Sequence, residues 1–184
     1  MYRRDSMVCN IFLAALLILF LAASVDVKVS EVKLKIEYGE PFKSADGGAA
    51  QLYYSENEEE FCEEKSLQEN IVDGYVVFPL PEVDLTDTRL RFDPVMSEED
   101  FSIRKVDVLL RDRTVWSLSG GEELSAYIEY TINCERAAGN EEKFISKSED
   151  PIIGLSSKFN EMIADACKAY NLISYSVIAL FLYL

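Results

Sequence analysis

The stretch Thr88–Pro94 reads Thr-Arg-Leu-Arg-Phe-Asp-Pro and brings two guanidinium groups and a carboxylate within five residues of one another. On an extended chain alternate residues share a face, so Leu90 and Phe92 point one way, Arg89 and Arg91 the other, and Asp93-Pro94 turns the chain out of the strand. An Arg/Asp pair of this kind suits contact with ligand hydroxyls, and it invites a catalytic reading. Nothing around it completes a nucleophile, a metal site or a phosphate loop. The chain has no histidine, the usual side chain for acid/base chemistry near neutrality. Cys9, Cys62, Cys134 and Cys167 show no Cys-x-x-Cys spacing, which speaks against a zinc ribbon or a thioredoxin-type site. A formal net charge of -15 argues against binding nucleic acid through its phosphates. No cofactor, metal site or catalytic residue is expected.

The elements that must position Arg91 and Asp93 read as short strands. Val25 to Tyr38 alternates with a slip near Ser30-Glu31, which predicts a long strand with a bulge. Further strands are predicted over Ala49–Ser55, Gly74–Leu80, Thr88–Phe92, Ile103–Leu110, Thr114–Leu118 and Leu124–Asn133. Ser97-Glu98-Glu99-Asp100 has the form of a capping box. Glu56 to Glu64 reads as a solvated acidic loop, since its acids lack the spacing of a calcium loop. Gly139 to Asp150 reads as a charged linker, after which Ser156 or Ser157 caps a helix with Phe159, Met162, Ile163, Ala166 and Tyr170 on one face. Short strands joined by turn residues, without helices between them, predict a mostly β protein, an antiparallel β-sandwich of jelly-roll type. Between Cys62 and Cys134 a disulfide is a candidate if the domain faces an oxidising space.

Both ends of the chain are apolar. Residues 7–25 follow Arg3 and Arg4 and form a run of the length that crosses a bilayer, about 20 residues. The expectation is a signal-anchor, with a cleaved signal peptide ending near Ala22-Ala23-Ser24 as the alternative; either places residues 1–6 in the cytoplasm and residue 26 onward on the far side. Residues 26–150 are then the extracytoplasmic domain, and residues 151–184 a helix that passes from amphipathic to membrane-embedded. The apolar run from Leu172 to Leu184 is too short to span alone. The helix therefore enters the bilayer from about Ile163, or the chain is part of a longer membrane protein, or the tail is a lipid-anchor signal. No Asn-x-Ser/Thr sequon is present, which sits poorly with a eukaryotic surface protein.

Gln51-Leu52-Tyr53-Tyr54, the acidic loop with Phe61, Phe78-Pro79-Leu80-Pro81, Leu90-Arg91-Phe92-Asp93-Pro94 and Ile103–Leu110 resemble, in that order, an extracytoplasmic β-sandwich module of bacterial multi-pass membrane proteins and glycosyltransferases of cell-surface polysaccharide assembly. The resemblance covers roughly Val32 to Leu118. It implies a carbohydrate-binding-like jelly roll at the cell membrane, non-catalytic, whose partners are the bilayer and a surface glycan or a membrane protein. A sugar's C–H face packs on an aromatic ring while its hydroxyls need hydrogen bonds. Tyr53, Tyr54, Tyr75 and Trp116 are the candidate platform, with Arg91 and Asp93 as polar partners. Each has a structural alternative: Tyr53 and Tyr54 must face opposite ways, a lone tryptophan belongs to the core, and Asp before Pro accepts N–H groups of its own turn. A purely structural domain and an outer-face enzyme are the competing functional readings, the latter disfavoured because the acids cluster in loops.

Overall fold

The computed structural model describes residues 11, 13, 15, 17, 31–39, 46–56, 59–95, 99–137 and 140–183. The chain divides into two compact units, Lys28–Ala164 and a second made of Met1–Val27 with Asp165–Leu184.

The larger unit is mostly β and antiparallel. Its strands are β1 (Val32–Tyr38), β2 (Asp46–Glu56), β3 (Ser66–Val72), β4 (Tyr75–Pro79), β5 (Thr88–Asp93), β6 (Phe101–Leu110), β7 (Arg113–Ser119), β8 (Ile128–Ile132), β9 (Cys134–Ala137), β10 (Asn140–Ser146) and β11 (Ile152–Leu155). They make one nearly closed sheet in the order β8-β11-β5-β2-β3-β4-β1-β6-β10-β9, with β7 also on β6. The two ends of that path are consecutive in sequence, joined through Asn133 alone at φ 58°. Period-two patterning drives the arrangement. In β1, Val32, Leu34, Ile36 and Tyr38 are buried while Lys33, Lys35 and Glu37 are half-buried, so one face is core and the other wet. Phe92 of β5 and Phe78 of β4 meet edge to face with centroids 6.0 Å apart in that core. Among the described residues, the cavity between Leu34, Ile36, Phe92, Ile153 and Phe159 measures about 10 Å³, the space of a single water.

Turn chemistry sets the register. The β3–β4 hairpin turns at Asp73 and Gly74, both at positive φ, the primed geometry whose twist matches the flanking strands. The β6–β7 hairpin uses Arg111 and Asp112 in the same way.

Several expectations are corrected. Ser66–Val72, unassigned from its polar sequence, is β3; its alternation is weak because only Ile71 is buried. The stretch expected to link β and helix contains β10, where Phe144 is fully buried and stacks on Phe101 at 5.0 Å. Leu124, expected to start a strand, falls inside a single helical turn, Glu122–Ser125, and β8 begins only at Ile128. The sheet also runs past residue 150, because β11 lies inside it between β8 and β5.

The long helix Ser157–Tyr183 starts in the larger unit. Buried Asn160 donates to the Thr88 carbonyl and ties the first turn to β5. Of the two expected caps, Ser156 makes no side-chain cap, since its hydroxyl has no hydrogen-bond partner; its carbonyl instead accepts the Phe159 N–H at 2.9 Å. Among the described residues no helix is long and apolar enough to cross a membrane. In the smaller unit Ile11, Leu13, Ala15 and Leu17 are helical, while the rest of the expected anchor at 7–25, Cys9, the bulge at Ser30 and the Ser97-Glu98 half of the capping box lie outside the described residues.

Candidate functional site

The site grows out of one pair of neighbouring strands. In the β2–β5 ladder Gln51 stands opposite Asp93 and Tyr53 opposite Arg91, so these four side chains share the outer face while Leu52, Tyr54, Leu90 and Phe92 share the inner one. The segment between β2 and β3 folds back over that outer face through a 3₁₀ turn at Glu63–Lys65. The result is a cleft of about 420 Å³ lined by Gln51, Tyr53, Phe61, Glu63, Arg91, Asp93 and Asp150 among others.

Polar groups converge there. Arg91 forks onto Asp93, Nε to Oδ1 at 2.9 Å and Nη2 to Oδ2 at 2.6 Å, and its guanidinium lies over the Tyr53 ring at 4.6 Å. Glu63 accepts the Tyr53 hydroxyl at 2.5 Å and the Gln51 amide at 2.9 Å, and that amide also reaches Ser66 Oγ. Those hydrogen bonds, from Tyr53 first and then Gln51, hold the Glu63 carboxyl below the usual range. Burial together with the Glu63 contact pushes the Tyr53 phenol above its ordinary value. The Asp93 carboxyl moves the other way: burial pushes it up to about 6 against the pull of Arg91, with Asp150 and Glu63 adding to the rise. The surrounding loop is built rather than merely solvated. Lys65 bonds Glu59 at 2.7 Å, and Arg89 donates to the Glu59 carbonyl with its guanidinium 5.3 Å from the Phe61 ring centre.

Of the residues singled out from sequence, Tyr53, Arg91 and Asp93 meet in this cleft. Their roles differ from those expected. Tyr53 is buried under Arg91 and offers no open ring face. Asp93 is held by Arg91 rather than by its own turn. Tyr54 points inward opposite Leu90. Trp116 on β7 joins Tyr127 and Phe159 in an edge-to-face trio with centroids 5.9 to 6.5 Å apart, a packing role outside the cleft. Tyr75 carries Lys35 over its ring at 4.2 Å on the β1–β4 pair. The Cys62–Cys134 disulfide is not formed: Cys62 is an exposed free thiol at the cleft, while Cys134 is buried beyond the β8 corner with its thiol on the Ile152 carbonyl at 3.6 Å. Burial pushes that thiol up to about 11.

Sequence reasoning missed Gln51 and Glu63. Gln51 was legible in principle, since it lies two residues before Tyr53 and must share its face. Glu63 was one of many acids in its loop, and only the fold distinguishes it.

No protein-family model, no curated protein and no solved structure matches this chain.

Proposed function

We propose that the chain is a membrane-anchored, extracytoplasmic β-sandwich module of jelly-roll type that binds a glycan without acting on it. The convergence of Gln51, Tyr53, Glu63, Arg91 and Asp93 on one outer-face cleft carries the reading. A cleft walled by fixed donors and acceptors beside aromatic carbon suits a polyhydroxylated ring better than an apolar ligand. Binding is favoured over hydrolysis because both central carboxylates are already committed, Glu63 to Tyr53 and Gln51, Asp93 to Arg91. Three carboxylates face one guanidinium in the cleft lining, on a chain of net charge -15, which favours neutral or amine-bearing sugars over anionic ones. The apolar run at 7–25 after Arg3 and Arg4 supports the anchor, and through it a place on the outer face of the cell membrane beside surface glycan or a membrane-protein partner.

The test is calorimetric titration of the full chain, kept in a detergent without a sugar headgroup, with neutral, amine-bearing and anionic oligosaccharides. Saturable binding of a neutral or amine-bearing member, weakened at least about tenfold by the double variant Arg91→Gln/Asp93→Asn, is the expected result, an effect of the size of one lost charge-assisted contact. Absence of binding to every member by a chain whose circular dichroism shows it folded overturns the reading and leaves a structural domain.

A further inference from the structure

The outer face does not end at the cleft. Arg91 stands opposite Gly154 in the β5–β11 ladder, and Gly154 stands opposite Tyr130 in the β11–β8 ladder. Directly paired residues of antiparallel strands project to the same side, so Tyr130, Gly154, Arg91 and Tyr53 form one row across four strands on the face that carries the cleft. Within that row Gly154 has a specific use. A Cβ added there would come within 2.2 to 2.6 Å of three Tyr130 ring atoms, so the ring occupies the space above the glycine. An aromatic ring that fills the gap over a strand glycine is held in place by backbone rather than by neighbouring side chains. Tyr130 nevertheless keeps 37 % of its surface open, whereas Tyr53 in the same row keeps only 6 %. It is therefore the ring of the row with a surface left for a ligand.

We infer that Tyr130, seated over Gly154, is a stacking subsite for one ring of an oligosaccharide whose neighbouring ring lies in the Arg91–Asp93 cleft. The inference rests on the glycan reading given above and deepens it. The Tyr130 ring lies over Gly154, and Gly154 is one strand from Arg91, about 4.8 Å away. That step is about the width of one pyranose ring, so a ring stacked on Tyr130 and a ring in the cleft are neighbouring units of one chain running across the strands. Gly154 belongs to the subsite through its missing side chain, because any larger residue would displace the ring.

Three variants of the full chain, Tyr130→Ala, Tyr130→Leu and Tyr130→Phe, are titrated with the tetrasaccharide that the wild-type chain binds best. Leucine keeps apolar cover over Gly154 without a π face, and phenylalanine keeps the face without the hydroxyl. Affinity falls about tenfold in the Ala and Leu variants, as expected for one stacked ring, and stays within about twofold in the Phe variant. The Leu variant keeps the melting temperature of the wild type, so its loss of binding is not a loss of fold. Tetrasaccharide binding that survives in Tyr130→Leu but is lost in Arg91→Gln/Asp93→Asn overturns the stacking subsite and leaves the cleft reading intact. A wild-type chain that binds no oligosaccharide overturns both.

Discussion

Asp93 is the most buried carboxylate of the cleft, 5 % exposed and facing Arg91. Its carboxyl, pushed up to about 6, holds its proton more tightly in the folded chain than in the unfolded one. Its contribution to stability is therefore fully present below about pH 4 and is lost as pH rises through about 6. Asp93→Asn removes that dependence. The unfolding free energy of the wild type, followed by urea denaturation, should fall relative to the Asn variant by at most about 3 kcal/mol between pH 4 and pH 7. Parallel curves for the two proteins would show that Arg91 compensates burial completely. At this scale the sequence was informative about position and poor about role. Alternation alone put Arg91 and Leu90 on opposite faces, yet no residue pattern tells that Arg91 would cover Tyr53 and leave Tyr130 as the open ring.

Strands with a strong apolar alternation, β1 and β5 above all, were legible, because burying one face of an antiparallel sheet forces that pattern. β3 and β10 were not, since their residues are mostly polar and their pairing is supplied by partners already in place. Asp73-Gly74 was a usable signal for the β3–β4 hairpin, a pair that turns tightly at positive φ. β11 is four residues long, yet all four are buried and it pairs with β5 on one side and β8 on the other. Without it β5 is left at an edge and β8 loses its partner strand. A chain ending at Asp150 should therefore fail to fold, with loss of the β-sheet signal in circular dichroism and rapid proteolysis. A cooperative melt from that truncated chain would contradict the central placement of β11.

For the whole molecule the dominant quantity is charge. Thirty-three acids against eighteen bases give a net -15, and self-repulsion of that size loosens a compact state. Ion pairs such as Lys33–Asp112 and Lys147–Glu135 are exposed and contribute little each. Screening should thus help more than it harms: the melting temperature is expected to rise between low ionic strength and about 0.15 M salt, where the Debye length falls to about 8 Å. A melting temperature that falls with salt would mean that the exposed ion pairs outweigh the repulsion. The mostly β, antiparallel class was legible from the whole chain. Its near-closure was not, because the meeting of β8 and β9 at Asn133 depends on strand order rather than on any local pattern. The position of β5 also sets a timetable for the growing chain. Its neighbour β2 is complete by residue 56, but β11 is finished only at residue 155, some 60 residues after β5 itself. At about 5–20 residues per second, the edge of β5 that will carry Gly154 waits unpaired for roughly 3 to 12 seconds of synthesis. During that interval the nascent chain exposes a half-sheet whose open edge is a template for the wrong strand, so the last four strand residues made are the ones that end its vulnerability.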